Sequence, residues 1–228
     1  MSVWPIKGLC VGSVRPLGPS AVASGIIKQS SDRPILLTKT GFVGDEQGDK
    51  RHHGGPDKAV HHYPHDHYAA WTADLGEHPL LRRLGAFGEN ISTTGLTEAN
   101  VAIGDRFRLG SAIVEVSQGR QPCFRLNLRF EIGDIAVRMQ RTGRTGWYYR
   151  VVEEGLVAPG DTLRLLDRQT PGWTIERLRR ILYVDMLNQA ELQEVAALAH
   201  LPERWRRTAE LRLRTGVVED WKPRLDGP

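Results

Sequence analysis

Glycine and proline interrupt the first two-thirds of this sequence so often that no long regular element fits there. Short apolar stretches recur at residues 3–14, 22–28 and 34–42, each punctuated by Gly or Pro. Gly41-Phe-Val-Gly44-Asp45 reads as a turn leaving a strand, and Gly54-Gly55-Pro56-Asp57 as a loop. Residues 59–63 fit a short strand or a helix. Arg106-Phe-Arg-Leu109 and Ala112-Ile-Val-Glu-Val116 are the clearest strands, and the two-residue link Gly110-Ser111 marks a hairpin. Residues 146–152 and 162–166 complete the strand-rich part. Many short strands joined by Gly/Pro turns point to a β-barrel or sandwich with few helices.

Two helical patterns interrupt that part. Pro64 is suited to open a helix running to about Leu75, with Tyr68, Trp71 and Leu75 on one face. Residues 132–140 fit a second, with Ile135, Ala136 and Met139 apolar. After Asp167 the pattern changes. Residues 169–172 read as a linker, and three helical segments follow. Thr174 and Asn188 are the N-caps of the first two, and Pro202 opens the third. Each is too short to be stable alone in water, so all three must pack on something. The expected organisation is a strand-rich domain over 1–168, a three-helix domain over 173–214 and a tail over 215–228.

At 228 residues the chain has ample length for a packed core, and 40% apolar with 25% charged residues is ordinary for a globular protein. No apolar run is long enough to span a membrane, and the first residues lack the apolar core of a signal peptide. Two cysteines, Cys10 and Cys123, are too few for a disulfide scaffold. A cytoplasmic setting with free thiols is expected. The formal charge of +4 is mild, but it is unevenly placed. Arg120, Arg125, Arg129, Arg138, Arg141, Arg144 and Arg150 stand against only Glu131 and Asp134. That window around Cys123 is +5, so the remainder sums to −1. Such a patch suits an anionic ligand or an acidic partner protein. The last helices, from Arg168 onward, carry 11 basic and 9 acidic residues, a poor footprint for nucleic acid.

Three clusters carry candidate chemistry. Cys123 lies in Arg120-Gln-Pro-Cys123, where flanking arginines favour the thiolate, the form that attacks or ligates metal. A nucleophile, a soft-metal ligand and an inert buried thiol all fit that setting, whereas Cys10 reads simply as core. The loop from His53 through Gly54, Gly55, Pro56 and Asp57 to Lys58 offers backbone amides and a cation to an anion or heterocycle. An ordinary tight turn is the competing reading. Phe87-Gly-Glu89-Asn90 presents a carboxylate and an amide together, a pairing suited to reading a polar heterocycle or to capping a turn, and the second reading also fits Gly104-Asp105. Six of the eight histidines fall between His52 and His67, which raises a metal-hydrolase reading. Their spacing matches neither H-E-x-x-H nor H-x-H-x-D-H.

Taken in order, these fragments resemble the MOSC-domain family (molybdenum cofactor sulfurase C-terminal type), and more narrowly its bacterial YiiM-like group. The matching pieces are Gly44-Asp-Glu-Gln47, His53-Gly-Gly-Pro-Asp-Lys-Ala-Val60, Tyr63-Pro64, Phe87-Gly-Glu-Asn90, Gly104-Asp105 and Arg120-x-Pro-Cys123. The helical segment after residue 173 resembles the small α-domain of that group. Where Gly119 stands, group members usually have Pro.

The resemblance implies a mainly β protein, a MOSC-type barrel with peripheral helices plus the three-helix domain. It implies a molybdenum-pterin (molybdopterin) cofactor with Cys123 as the metal ligand, thiolate being the soft donor such a metal takes. It points to reduction of N-hydroxylated bases and related compounds. Lys28, His53, Gly54, Gly55, Asp57, Lys58, Glu89, Asn90 and Arg120 are the expected cofactor or substrate contacts, and His53 or Asp57 the expected proton donor. The chain has no G-x-G-x-x-G and no C-x-x-C, so a reductase of this sequence needs an external electron-donor protein, a flavoprotein or an iron–sulfur protein. A cofactor-binding or sulfur-carrier role without reductase activity is the alternative.

Overall fold

The computed structural model describes residues 2–49 and 54–227. Nine short strands form one curled mixed sheet, a half-barrel. In spatial order they are Val3–Pro5, Thr162–Asp167, Arg106–Leu109, Ala112–Gly119, Trp147–Glu153, Val60–His62, Ile91–Ser92, Gly8–Val11 and Gln29–Ser31. All neighbours are antiparallel except Val60–His62 beside Ile91–Ser92. A three-stranded sheet (Ile35–Thr38, Gly41–Phe42 and Gly155–Val157) and the ribbon of Arg15–Leu17 with Val22–Ser24 flank it. The expected barrel is thus realised as a large curled sheet with two edges. The hairpin expected at Gly110-Ser111 is present: Leu109 faces Ala112, and Gly110 takes the positive φ (57°) that the turn requires.

The helices follow the same local logic. Ile175–Tyr183 and Gln189–Ala197 are capped by Thr174 and Asn188, whose side chains accept from the Arg177 and Glu191 amides at 3.1 and 3.2 Å. Glu203–Thr215 follows Pro202. The helix expected from Pro64 starts instead at Asp66 and runs to Leu75. The reason is long-range: the Tyr63 and His65 amides donate to Ile91 and Thr93 carbonyls at 3.1 and 2.8 Å, so strand pairing holds Pro64 outside the helix. The second helix covers Ile135–Thr142 rather than 132–140, and two further helices, Arg125–Phe130 and Lys222–Leu225, were not expected.

Two apolar cores result. The larger joins strand residues such as Leu9, Val60, Phe107 and Val116 to Ile175, Leu178, Val195 and Trp205 of the C-terminal helices. The three helices therefore bury their apolar faces on the sheet as well as on each other. The smaller core joins Tyr63, Tyr68, Trp71, Phe87, Leu126, Phe130 and Met139. The segment carrying Cys123 runs between the two.

His62 belongs to this framework. It is fully buried, its Nδ1 3.0 Å from Tyr149 Oη and its Nε2 3.0 Å from Thr93 Oγ1. Burial pushes its pKa from 6.5 down to about 3, so it folds neutral. Between those values the unfolded chain binds the extra proton, and stability must fall as pH drops from 6.5 towards 3. At pH 5 the expected loss from this one side chain is about 2 kcal/mol. Chemical denaturation at pH 7 and pH 5 measures it. A His62→Gln protein should lose visibly less over that range, and an equal loss in both proteins would refute the assignment.

Candidate functional site

Three neighbouring strands build the floor of the site. In register, Gln118 pairs with Tyr148, and Tyr148 with His61. Directly paired residues point to the same face of a sheet, so these side chains form one row. The Arg120 amide extends the pairing by one bond, donating to Gly146 O at 3.0 Å. The chain then leaves the sheet through Gln121 and Pro122 to Cys123, and the helix Arg125–Phe130 pins the far side by burying Leu126 and Phe130.

Two cavities meet along this row. The outer one, about 450 Å³, is walled by Gln118, Tyr148, Phe124 and Trp205, with Lys58, Arg125, Arg204 and Arg224 around it. The inner one, about 80 Å³, lies among Lys28, Asp45, His61, Asn90 and Arg120. Cys123, Tyr148 and Lys58 line both, so the thiol sits at their junction, 9% exposed. Gly25 and Gly48 let two of the inner walls touch. A Cβ on Gly25 would lie 1.9 Å from Glu46 O, and one on Gly48 2.3 Å from Ala23 O.

The electrostatics of the cavities are mixed. Lys28 is ion-paired to both oxygens of Asp45, which also accepts from Asn90 Nδ2 at 2.9 Å, so its charge is largely balanced. Burial, with Arg204 nearby, pushes the Lys58 ammonium down to about 8 against the pull of Cys123, Asp49 and Asp57. Burial raises the Tyr148 phenol, against the nearby Arg120 guanidinium, so it stays protonated. Burial, reinforced by Arg120, holds His61 well below its ordinary value and therefore neutral. Its Nε2 is buried without a hydrogen-bond partner while its ring lies 5.0 Å from that of Tyr148. The nitrogen is buried on the Gly146 side of a ring that belongs to the inner cavity wall, and an unsatisfied buried polar atom there is unusual.

Of the expected site residues, the structure brings Lys28, Lys58, Asn90, Arg120 and Cys123 together around these cavities. The others lie elsewhere. Glu89 turns inward: its buried carboxylate accepts from the Gly85 and Phe87 amides at 2.7 and 3.0 Å and from the Tyr68 hydroxyl. It closes its own turn rather than reading a heterocycle. Asp57 pairs with Arg150 at 2.8 Å and is not part of either wall. Gly54 and Gly55 likewise stand apart from both cavities, and His53 lies outside the described residues. Asp105 is engaged by Arg168 and by the Ala102 amide.

The arginine-rich window also disperses. Arg138, Arg144 and Arg150 pair with Asp134, Asp74 and Glu115, and only Arg120 and Arg125 reach the cavities. The remaining cations, Arg204 and Arg224, come from the C-terminal helices, which sequence reading took only as core and tail. The histidines are dispersed as well. His62 is held by Tyr149 and Thr93, His67 pairs with Glu98 at 2.7 Å, and His65 stacks on Tyr68. Among the described residues no group of three or more His, Cys, Asp or Glu side chains is placed to hold a metal, and no helix is long and apolar enough to cross a membrane.

Comparison with known proteins agrees with this architecture. Residues 49–164 match the MOSC domain model, and residues 173–216 match the YiiM-like 3-alpha helix domain. Protein YiiM of Escherichia coli (strain K12) is 41% identical over 209 residues, covering 92% of this chain and 93% of that protein. The crystal structure of YiiM from Escherichia coli superposes with a TM-score of 0.83, at 35% identity over 99% of both chains. A protein named reductase from Gibberella moniliformis is 43% identical over 162 residues, which is 71% of this chain and 29% of that protein.

Proposed function

The chain belongs to the MOSC-domain family, in its YiiM-like group, and from that premise we propose that it is a molybdenum-cofactor-dependent reductase of N-hydroxylated bases and related compounds. The reaction is R–NH–OH plus two electrons and two protons, giving R–NH2 and water. The observation that carries the reading is Cys123 at the junction of two cavities whose walls set Lys58, Arg120, Arg125 and Arg204 beside the carboxylates of Asp45 and Asp49, with Tyr148 and His61 neutral at physiological pH.

The residues present fit such a cofactor on three counts. A soft thiol is the donor a molybdenum–dithiolene centre takes from protein. Lys58, Arg120, Arg125 and Arg204 suit a phosphorylated pterin. His61, in the inner wall, keeps a polar ring nitrogen without a partner. When bound, the cofactor supplies the oxygen-abstracting, two-electron chemistry that no side chain can.

The protein binds, orients and excludes water. Cys123 tethers, Tyr148 and Trp205 offer flat faces to a planar base, and the Trp205 indole N–H is fixed by its 2.6 Å bond to Gln118 Oε1. Tyr148 Oη holds a proton in the wall common to both cavities. The electrons come from a separate flavoprotein or iron–sulfur protein. Such encounters are brief and steered by charge, and the cationic outer cavity favours an acidic partner.

Protein produced in a host that makes molybdopterin is expected to carry stoichiometric molybdenum and to reduce 6-N-hydroxylaminopurine with an artificial electron donor. Elemental analysis and product chromatography measure the two. Molybdenum-replete protein without turnover would replace the reductase reading with that of a cofactor or sulfur carrier.

A further inference from the structure

The last residues of the described chain, 221–227, fold back over the Cys123 segment rather than trailing from the third C-terminal helix. The Phe124 amide donates to the Arg224 carbonyl at 2.8 Å, and Asn127 Nδ2 donates to the Leu225 carbonyl at 3.0 Å. The Arg224 guanidinium is divided between two acceptors. One nitrogen donates to the carbonyl of Pro122, the residue before Cys123, and the other to Gln140 Oε1 at 2.6 Å. Beside it, Gln121 Nε2 donates to Tyr183 Oη at 2.9 Å, and the Tyr183 ring meets Trp221 edge-on. Pro223 and Arg224 also form part of the outer cavity wall. At Gly227 a Cβ would lie 2.9 Å from the Phe124 ring, so the strap lies directly on the loop.

We propose that Arg224 is a positioning residue for Cys123, and that the strap it anchors forms one wall of the thiol's site. The loop from Gln121 to Phe124 has no strand partner once it leaves the sheet. Its position is set at one end by the Arg120–Gly146 bond and at the other by the helix Arg125–Phe130. Between those points the Pro122 carbonyl and the Phe124 amide, on either side of the cysteine, both bond to Arg224. Pro122 offers no amide of its own, so its carbonyl is the one backbone group it can lend to a clamp. A single residue thus holds both flanks of the proposed metal ligand. The role as a ligand's positioner rests on the function proposed above; the clamp itself does not.

The test uses the full-length, cofactor-free protein. Each thiol's rate with a small neutral alkylating agent is followed by peptide mass spectrometry at one fixed pH at which the protein is folded. Removing a nearby cation disfavours a thiolate, so a faster rate cannot come from the lost charge itself. Cys10, 1% exposed and next to Ser30, is the internal reference. Arg224→Ala should raise the rate at Cys123 about tenfold, as expected from loss of a charge-assisted hydrogen bond that opposes opening of the loop. The rate at Cys10 should stay unchanged.

Arg224→Lys keeps the charge but reaches only one of the two acceptors, and should fall between parent and alanine variant. It carries the comparison if the alanine variant does not fold. An unchanged Cys123 rate, or equal acceleration of both thiols, overturns the proposal. A parent protein that takes up no molybdenum would refute the function and leave this outcome readable.

Discussion

Cys123→Ser is expected to strip molybdenum from the protein and to abolish turnover while leaving the fold intact. Serine has nearly the same shape, and the side chain it replaces lines a cavity rather than filling a core, so the cost to stability should be about 1 kcal/mol. The chemical change is larger. An alcohol at neutral pH is a protonated, hard oxygen donor, whereas the site needs a soft thiolate. Without that tether a bound cofactor depends mainly on its contacts to Lys58, Arg120, Arg125 and Arg204, which are ionic and exchange with salt.

Retained molybdenum after desalting should fall by at least about 100-fold, more than the loss typical of changes one shell further out. Turnover should fall with it. Cys10→Ser is the matched control. Burial pushes that thiol up to about 11, it sits in the core beside Ser30, and it faces neither cavity. It should cost stability and spare the metal. A Cys123→Ser protein that keeps both metal and turnover would remove the cysteine from the mechanism.

What the sequence made legible was local. The Gly110-Ser111 hairpin and the caps at Thr174 and Asn188 depend on residues within three positions of each other, and each appears where expected. The resemblance through Arg120-x-Pro-Cys123 singled out a thiol that the fold places beside two cavities. What was not legible depends on partners far along the chain. His61 and His62 are adjacent and chemically identical. Strand alternation says only that they face opposite ways. Which one is satisfied is decided by Thr93, just beyond the strand Ile91–Ser92, and by Tyr149, and which one looks into a cavity by Tyr148. Arg204, Trp205 and Arg224 gave no local sign of reaching the site, because their arrival depends on how the C-terminal helices dock. The helical segment read as an appendage therefore supplies walls of the cavity itself.

Glu89 tests that distinction most sharply. From sequence it belongs with Asn90 as a ligand contact; in the structure it is a fully buried hub for its own turn. Glu89→Ala would leave the Gly85 and Phe87 amides and the Tyr68 hydroxyl without acceptors, all beneath the Tyr63–Phe87 aromatic stack. An unsatisfied buried donor costs about 1–3 kcal/mol, so three with partial relaxation should cost about 3–5 kcal/mol. For a domain of this size that lowers the unfolding midpoint by about 10 °C or more. Glu89→Gln retains an acceptor and should recover part of the loss. A merely ligand-binding carboxylate predicts the opposite pattern: unchanged stability of the cofactor-free protein and weakened binding. Calorimetry of the cofactor-free variants separates the two without any activity assay. If Glu89→Ala unfolds within about 2 °C of the parent, the turn does not depend on its carboxylate and the sequence reading regains its place. The surrounding geometry makes the larger shift the expected one. Glycine at position 88 sits at φ 79°, a conformation that the Gly85–Phe87 bonds to this carboxylate hold in place, so losing the hub releases the whole turn.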